Sequence, residues 1–374
     1  MPLLSVIFAR MLRLQKIQLT HYKNYHFSSF DFGKNVVGIS GLNGIGKTNL
    51  LDAIYYCCFT KSYFTSMDSL NVNFEKEGFR LEAHFDNNGD AQKIICINRG
   101  NNKKEFSVND VAYDRLAKHV GTLPAVIIAP DDVEIIIGGS EGRRRYLDTV
   151  ICQMDNEYLQ QLMIYNKVLQ QRNSLLKRFA EQGQIDQPLL EIINGQLAAP
   201  GKIIFEKRIF YTERLIPLIE SFYHRIADNN ETIKFRYSSQ LQQAPFEDLL
   251  IQSFSRDAVL QRTGSGIHKD DILFTLDEQP FKNIASQGQR KSLLFALKLA
   301  QYQLLKDHKL FSPVLLLDDV FEKLDRERMN RLLQWVCNEN AGQVFITDTH
   351  GERLKNVFEE LGIDGQLIEL KVEG

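Results

Sequence analysis

The feature that most constrains this chain is a glycine-rich stretch, within residues 36–53, that separates an apolar run from a helical repeat. Residues 36–39 are mostly apolar, as a buried strand requires, and residues 50–54 carry leucine and isoleucine at helical spacing. Between them, residues 41–48 fit the pattern G-x-x-x-x-G-K-[ST]. A strand, this loop and a helix form the context of a phosphate-binding loop, so we predict one here.

The residue types in this loop suit a nucleoside triphosphate. Glycine lacks a Cβ, so backbone N–H groups can turn inward around phosphate oxygens, and the helix N-terminus adds partial positive charge. Lys47 can reach the β- and γ-phosphates and is a candidate catalytic residue, whereas the Thr48 hydroxyl can bind Mg²⁺. The predicted nucleotide contacts of this stretch are Gly41, Leu42, Asn43, Gly44, Ile45, Gly46, Lys47, Thr48 and Asn49.

A second apolar pattern ends in two carboxylates. Residues 314–317 are Val-Leu-Leu-Leu, and Asp318 and Asp319 follow them. A buried strand of this kind delivers a carboxylate at its C-terminal edge, where the Mg²⁺ of a P-loop nucleotide is bound. We therefore predict that Asp318 orients the metal together with Thr48, and that Asp319 polarises the attacking water as a catalytic residue.

Residues 285–290, Ala-Ser-Gln-Gly-Gln-Arg, precede a long amphipathic helix and are similar to the signature motif of ABC-type ATPases. Ser286 as the N-cap, with Gly288 and Gln289 behind it, would present N–H donors to a γ-phosphate. In that superfamily the motif contacts the nucleotide held by the other subunit. A D-loop is expected at residues 320–325. The switch residue after the next buried strand stays open among Thr347, Asp348, Thr349 and His350.

Composition limits the class of protein and its partners. The chain has 374 residues, enough for about two domains, and 45 Lys and Arg against 47 Asp and Glu give a net charge of −2. Because a strongly basic field is absent, nucleic acid would need a local patch or a groove formed by assembly. Five cysteines without a C-x-x-C pair fit a reducing, cytoplasmic compartment. Met11 is an alternative start, and residues 1–10 lack the features of a signal peptide.

The three motifs in this order predict an α/β fold: an ABC-type P-loop ATPase head with a mixed sheet, plus an inserted helical lobe. Residues 143–230 carry helical periodicity, and Pro200 is expected to break the second long helix of this stretch. We place the first half of the ATPase lobe at residues 11–135 and the helical lobe at 136–262. The signature helix and the second half of the ATPase lobe follow at 263–374.

The chain resembles the RecF family of recombination-mediator ATPases, which is related to the heads of structural-maintenance-of-chromosomes proteins. The resemblance covers nearly all of residues 11–374, and its most specific parts are 41–54, 286–291 and 315–325. The chain departs from the family pattern at Glu322-Lys323, where Ser-Glu is usual. Other stretches that carry the resemblance are Tyr22-Lys23-Asn24-Tyr25, Gly142-Arg143-Arg144-Arg145 with Leu147-Asp148, Tyr165 with Gln171-Arg172-Asn173, and Gly266-Ile267-His268-Lys269-Asp270-Asp271.

The resemblance implies a function in recombinational DNA repair and replication: ATP-dependent binding to gapped DNA or single-strand/double-strand junctions, recombinase loading and SOS induction. The implied ligands are ATP and Mg²⁺, and the implied partners are DNA and other recombination-mediator proteins, with no membrane. The motifs themselves suggest a homodimer, because a signature helix that serves its neighbour's nucleotide needs two subunits around two ATP molecules. We therefore expect a slow, DNA-stimulated ATPase that works as a dimerisation switch.

Two other functions share part of this pattern. The nucleotide-binding subunit of an ABC transporter has all three motifs, but its switch histidine is missing directly after residues 344–346. A small-molecule kinase would have no use for a signature helix.

Basic side chains in the helical stretch are candidates for contacts to DNA phosphates. Basic side chains on helices bind phosphates in many proteins, but they also form solvated faces or pair with carboxylates such as Asp148. The candidates are Arg143, Arg144, Arg145, Arg172 and Lys177.

Overall fold

The computed structural model describes residues 11–100, 103–227, 233–322, 326–339 and 342–371. Residues 1–10, which concern the alternative start, and the D-loop residues 323–325 lie outside the described residues. The chain divides into two compact units. The first comprises the described residues up to Asp132, 222–227, and those from Lys291 onward; the second comprises 133–221 and 233–290.

Most of the strands lie in the first unit, and a few lie in the second. They are β1 (Leu12–Tyr22), β2 (Tyr25–Asp31), β3 (Val36–Ser40), β4 (Phe79–Asn87), β5 (Asp90–Asn98), β6 (Lys104–Val108), β7 (Val111–Ala112), β8 (Ala125–Ile128), β9 (Ile233–Ser238), β10 (Asp271–Leu276), β11 (Gln279–Pro280), β12 (Val314–Leu317), β13 (Val344–Asp348) and β14 (Gly365–Glu369).

Helices occur in both units and dominate the second. They are α1 (Lys47–Phe59), α2 (Glu134–Ile137), α3 (Ser140–Cys152), α4 (Asn156–Gln182), α5 (Gln187–Ala227), α6 (Phe246–Leu260), α7 (Phe281–Ile284), α8 (Gln287–Lys309), α9 (Arg326–Leu333) and α10 (Gly351–Glu360). A π-helical turn, Gln334–Glu339, follows α9. None of the helices in the described ranges combines the length and the hydropathy that a membrane span needs.

The first unit contains an antiparallel and a parallel sheet. The antiparallel sheet has the strand order β2-β1-β4-β5-β6-β7, and the parallel sheet has the order β14-β3-β13-β12-β8. Helix α1 contacts strands of both sheets, so its side chains are buried nearly all round; Leu50, Leu51 and Ile54 have no exposed surface. Because α1 is held from two sides, its first turn, which starts at Lys47, is fixed in place.

The second unit packs helices α2–α6 with the antiparallel sheet β11-β10-β9. The predicted boundary at residue 263 differs from this division, since β10 pairs with β9 and residues 263–290 therefore join the helical unit. The expected break at Pro200 is wrong: α5 continues through Pro200 and Pro217. Leu197 and Ile204, on either side of Pro200, are fully buried, and this packing offsets the lost helical hydrogen bond.

Candidate nucleotide site

The glycine-rich loop connects the buried strand β3 to helix α1, as its spacing predicts. Gly44 and Gly46 have φ angles of 80° and 117°, in the left-handed region that favours glycine. At Gly46 there is also no room for a side chain, because a Cβ would lie 2.7 Å from the Asn24 amide nitrogen and 2.9 Å from the Tyr25 hydroxyl. Leu42 at the apex is 72% exposed, so the loop faces solvent.

The corner between β1 and β2 holds this loop from the side. The Asn24 amide donates to the Ile45 carbonyl at 2.8 Å, and the Tyr25 hydroxyl donates to the Gly46 carbonyl at 3.0 Å. Asn49, a predicted nucleotide contact, donates to Asn24 Oδ1 at 2.7 Å. This corner is one of the stretches that resemble the RecF family. No local pattern predicts that it supports the loop, because these hydrogen bonds join residues more than 20 positions apart.

A buried carboxylate anchors the same corner to helix α1. Asp52 has no exposed surface, and it accepts hydrogen bonds from the Tyr22 hydroxyl at 2.8 Å and the Ser62 hydroxyl at 2.7 Å. The Lys23 ammonium lies 2.6 Å from the same carboxylate. The loop and its supporting corner are therefore parts of one rigid arrangement.

Lys47 is 5% exposed, and its ammonium lies against the loop. It donates to the carbonyls of Gly41 at 2.8 Å and Leu42 at 3.1 Å. This is the position from which a P-loop lysine binds phosphate oxygens.

The side chains of Thr48 and Asp318, the two predicted metal ligands, are in contact. The Thr48 hydroxyl lies 3.0 Å from each carboxylate oxygen of Asp318, and the Thr347 hydroxyl donates to Asp318 Oδ1 at 2.8 Å. Burial raises the pKa of Asp318 to about 6, because the charged form lacks solvent and the neighbouring hydroxyls offset this only in part. An oxygen-only set of a carboxylate and a hydroxyl fits Mg²⁺.

Of the four switch candidates, Thr347 is the one whose hydroxyl contacts Asp318. Its side chain is fully buried, and its hydroxyl also accepts a hydrogen bond from the Asp319 backbone at 2.9 Å. Asp319 has a φ of 46°, a left-handed conformation that aspartate tolerates. Asp348 is buried and paired with Arg353, and His350 is exposed at the start of α10.

A groove of about 760 Å³ lies beside the loop. Its walls are the edge strand β2, the loop apex at residues 42–45, and the end of β14 with the two residues after it, 369–371. Its volume falls in the range of small-molecule sites, about 300–1,000 Å³.

The signature motif begins helix α8 with a reciprocal cap. The backbone N–H of Ser286 donates to the Gln289 side chain at 2.6 Å, and the backbone N–H of Gln289 donates to the Ser286 hydroxyl at 3.2 Å. Ser286 is exposed, and Gly288 and Gln289 are partly exposed. These residues belong to the second unit, whereas the glycine-rich loop belongs to the first.

The structure does not bring the predicted DNA contacts together as one exposed face. Arg143 and Arg172 are buried in ion pairs with Asp271 and Asp257, so the prediction that they contact phosphates needs correction. Arg144 is partly buried and donates to the Ser140 hydroxyl and the Asp270 carbonyl. Arg145 and Lys177 are exposed.

The sequence belongs to a widespread family. Residues 13–366 match the family described as RecF/RecN/SMC N terminal domain. A DNA replication and repair protein RecF from Flavobacterium johnsoniae is 42% identical over 346 residues, which cover 92% of this chain and 96% of that protein. The protein of the same name from Bacteroides thetaiotaomicron is 39% identical over 352 residues, 94% of this chain and 95% of that protein.

Solved structures agree with this assignment. A structure described as the recombination mediator protein RecF-ATP in the RecFOR pathway has a TM-score of 0.84 and 31% identity, covering 91% of this chain and 92% of that chain. The Smc head domain of Pyrococcus furiosus has a TM-score of 0.56 and 15% identity over 96% of this chain and 94% of that chain, a likeness of fold alone. The predicted α/β ABC-type ATPase head is thus confirmed. The chain belongs to the RecF family of DNA replication and repair proteins, within the wider group of RecF, RecN and SMC proteins.

Proposed function

We propose that this chain is an ATP-dependent DNA-binding protein of recombinational repair, in which ATP drives dimerisation and slow, DNA-stimulated hydrolysis reverses it. It would act at gapped DNA or single-strand/double-strand junctions, with other recombination-mediator proteins, to promote recombinase loading and SOS induction. The observation that carries the proposal is the hydrogen-bonded Thr48–Asp318 pair beside the P-loop, in a chain that also begins helix α8 with a capped signature motif.

ATP with Mg²⁺ is the ligand that these residues suit. Lys47 would exchange its two carbonyl partners for phosphate oxygens, and Thr48 and Asp318 would hold the metal. Mg²⁺ would neutralise the charge of the phosphates. The groove along β2 has room for the ribose and base. Asp319 would accept a proton from the attacking water, and Thr347 would fix the backbone that carries it.

A second subunit is required because the signature motif of one subunit would bind the nucleotide that the other subunit holds. In a symmetric dimer, Ser286 and Gly288 of each subunit would contact the γ-phosphate held by Lys47 of the other. Dimerisation would then depend on the γ-phosphate, and hydrolysis would release the subunits.

Light scattering coupled to size exclusion tests the switch. Parent protein with ATP and Mg²⁺ should elute as a dimer, and with ADP as a monomer. Lys47→Ala should remain monomeric with ATP, and Ser286→Arg should bind nucleotide as the parent does but remain monomeric. As much dimer for Lys47→Ala as for the parent would refute the switch.

DNA contact is proposed for the exposed cations Arg145 and Lys177 of the second unit. Each phosphate contact releases counterions, so the logarithm of affinity should fall as the logarithm of salt concentration rises. Replacing either residue by glutamine should lower that slope by about 1. Lys355→Gln, on an exposed side chain of α10, is the matched control. A slope near zero for the parent protein would exclude phosphate contacts altogether.

A further inference from the structure

Arg143 occupies a junction between two elements of the second unit. Its side chain is 9% exposed and forms a forked pair with Asp271, with Nε to Oδ1 at 2.6 Å and Nη2 to Oδ2 at 3.0 Å. Its third nitrogen, Nη1, donates to the Gly138 carbonyl at 2.9 Å. The guanidinium therefore ties the C-terminal end of α2 to the first residue of β10.

The short helix α7 rests on the same two elements. It packs against both α2 and β10, and its Phe281 has no exposed surface. The Lys282 carbonyl accepts a hydrogen bond from Arg290 Nη2 at 3.0 Å, which links α7 to the first turn of α8. Ser286 lies between these two points of attachment, so its position depends on how α2 and β10 are held together.

We infer that Arg143 and Asp271 are a positioning pair for the signature motif. The pair holds α2 and β10 together, and we call these two elements the α2–β10 platform. Because α7 packs on this platform, the pair also sets the position of Ser286 relative to a partner's nucleotide. This inference rests on the proposed function of the signature motif, and neither residue touches the nucleotide itself. Removing the Asp271 charge leaves the buried Arg143 guanidinium without its ion partner, so the platform must shift to solvate it. A displacement of about 1 Å at a reacting centre can lower a rate by about a hundredfold.

A double-mutant cycle tests the pair. The variants are Asp271→Asn, Ser286→Ala and the two together, and Glu278→Gln is the matched control because it removes an exposed, ion-paired carboxylate near the end of β10. Asp271→Asn should lower ATP turnover by about 10- to 100-fold while the affinity for a fluorescent nucleotide changes less than twofold. Glu278→Gln should leave both quantities unchanged. In the Ser286→Ala background, Asp271→Asn should cause little further loss.

The outcomes separate the two proposals. Fully additive losses, or unchanged turnover in Asp271→Asn, would overturn the positioning role. Unchanged turnover and dimerisation in Ser286→Ala would instead count against the signature motif and hence against the proposed function. Arg143→Lys keeps the charge but not the fork, and should give a smaller loss with the same non-additivity. It provides the same test if Asp271→Asn does not fold.

Discussion

Replacing Asp318 by asparagine should stabilise the nucleotide-free protein while abolishing its response to Mg²⁺ and ATP. Asp318 is 3% exposed, and its hydroxyl partners and the positive charge of Lys47 offset only part of the cost of burying its own charge. Asparagine has nearly the same shape and can accept the same two hydrogen bonds from Thr48 and Thr347. It removes only the buried charge, which is the unfavourable part.

The size of the expected stabilisation follows from the pKa of Asp318. Burial raises the pKa of Asp318 from 3.8 to about 6, so the folded protein holds this proton more tightly than the unfolded chain does. Above pH 6 the buried charge therefore lowers the free energy of unfolding by about 3 kcal/mol. The penalty decreases as pH falls through 6, is about 1.5 kcal/mol at pH 5, and disappears below the unfolded value.

Urea unfolding without nucleotide measures this directly. Asp318→Asn should be more stable than the parent by up to about 3 kcal/mol at pH 7.5 and by about half as much at pH 5. Asp364→Asn, at a carboxylate that is 82% exposed, is the control and should change stability by less than about 0.5 kcal/mol. With MgATP the order should reverse, because the parent alone gains binding energy. Equal or lower stability of Asp318→Asn at pH 7.5 without nucleotide would refute the reasoning.

Three further changes probe the loop and the second unit. Gly46→Ala should weaken nucleotide binding at least tenfold in a fluorescence titration, because its φ of 117° is strained for alanine and Asn24 occupies the space; binding within twofold of the parent would contradict this. Asn24→Ala loses its exposed hydrogen bonds with the Ile45 carbonyl and the Asn49 amide, of which only the first holds the loop. It should weaken binding by about fivefold or less in the same titration, so a complete loss would point to another role. Arg172→Met leaves Asp257 buried without its ion partner, so urea unfolding should show that the free energy of unfolding falls by about 3–5 kcal/mol. Adding Asp257→Leu should restore most of this loss. No recovery in the double variant would show that the pair itself stabilises the fold.

The sequence predicts the elements around the glycine-rich loop because each of them is set by local residues. The loop, the start of α1 and the carboxylates after β12 each follow from a few consecutive residues. The role of Asn24 could not be predicted, since its contact with Ile45 depends on how β1 and β2 pack beside α1. The position of residues 263–290 likewise depends on the pairing of β10 with β9, which no local pattern specifies.

The sequence around Arg172 carries a signal for burial as well as for contact with phosphates. Arg172 lies three, four and seven residues before Leu175, Leu176 and Phe179, which form the buried stripe of α4. A charged residue at such a position is predicted to be buried with a partner rather than exposed to DNA. The partner, Asp257 on α6, is far along the chain and becomes visible only in the folded structure.

The burial of α1 between two sheets has a consequence for how ligand binding can be observed. The side chains of its inner turns, from Leu50 to Phe59, are buried, so exchange of their amide hydrogens requires opening of the structure around the helix. A nucleotide that binds only the folded protein should therefore slow their exchange with deuterium by a factor of 1 + L/Kd, where L is the free nucleotide concentration. Exchange rates along this one helix would report the binding free energy without any label at the site.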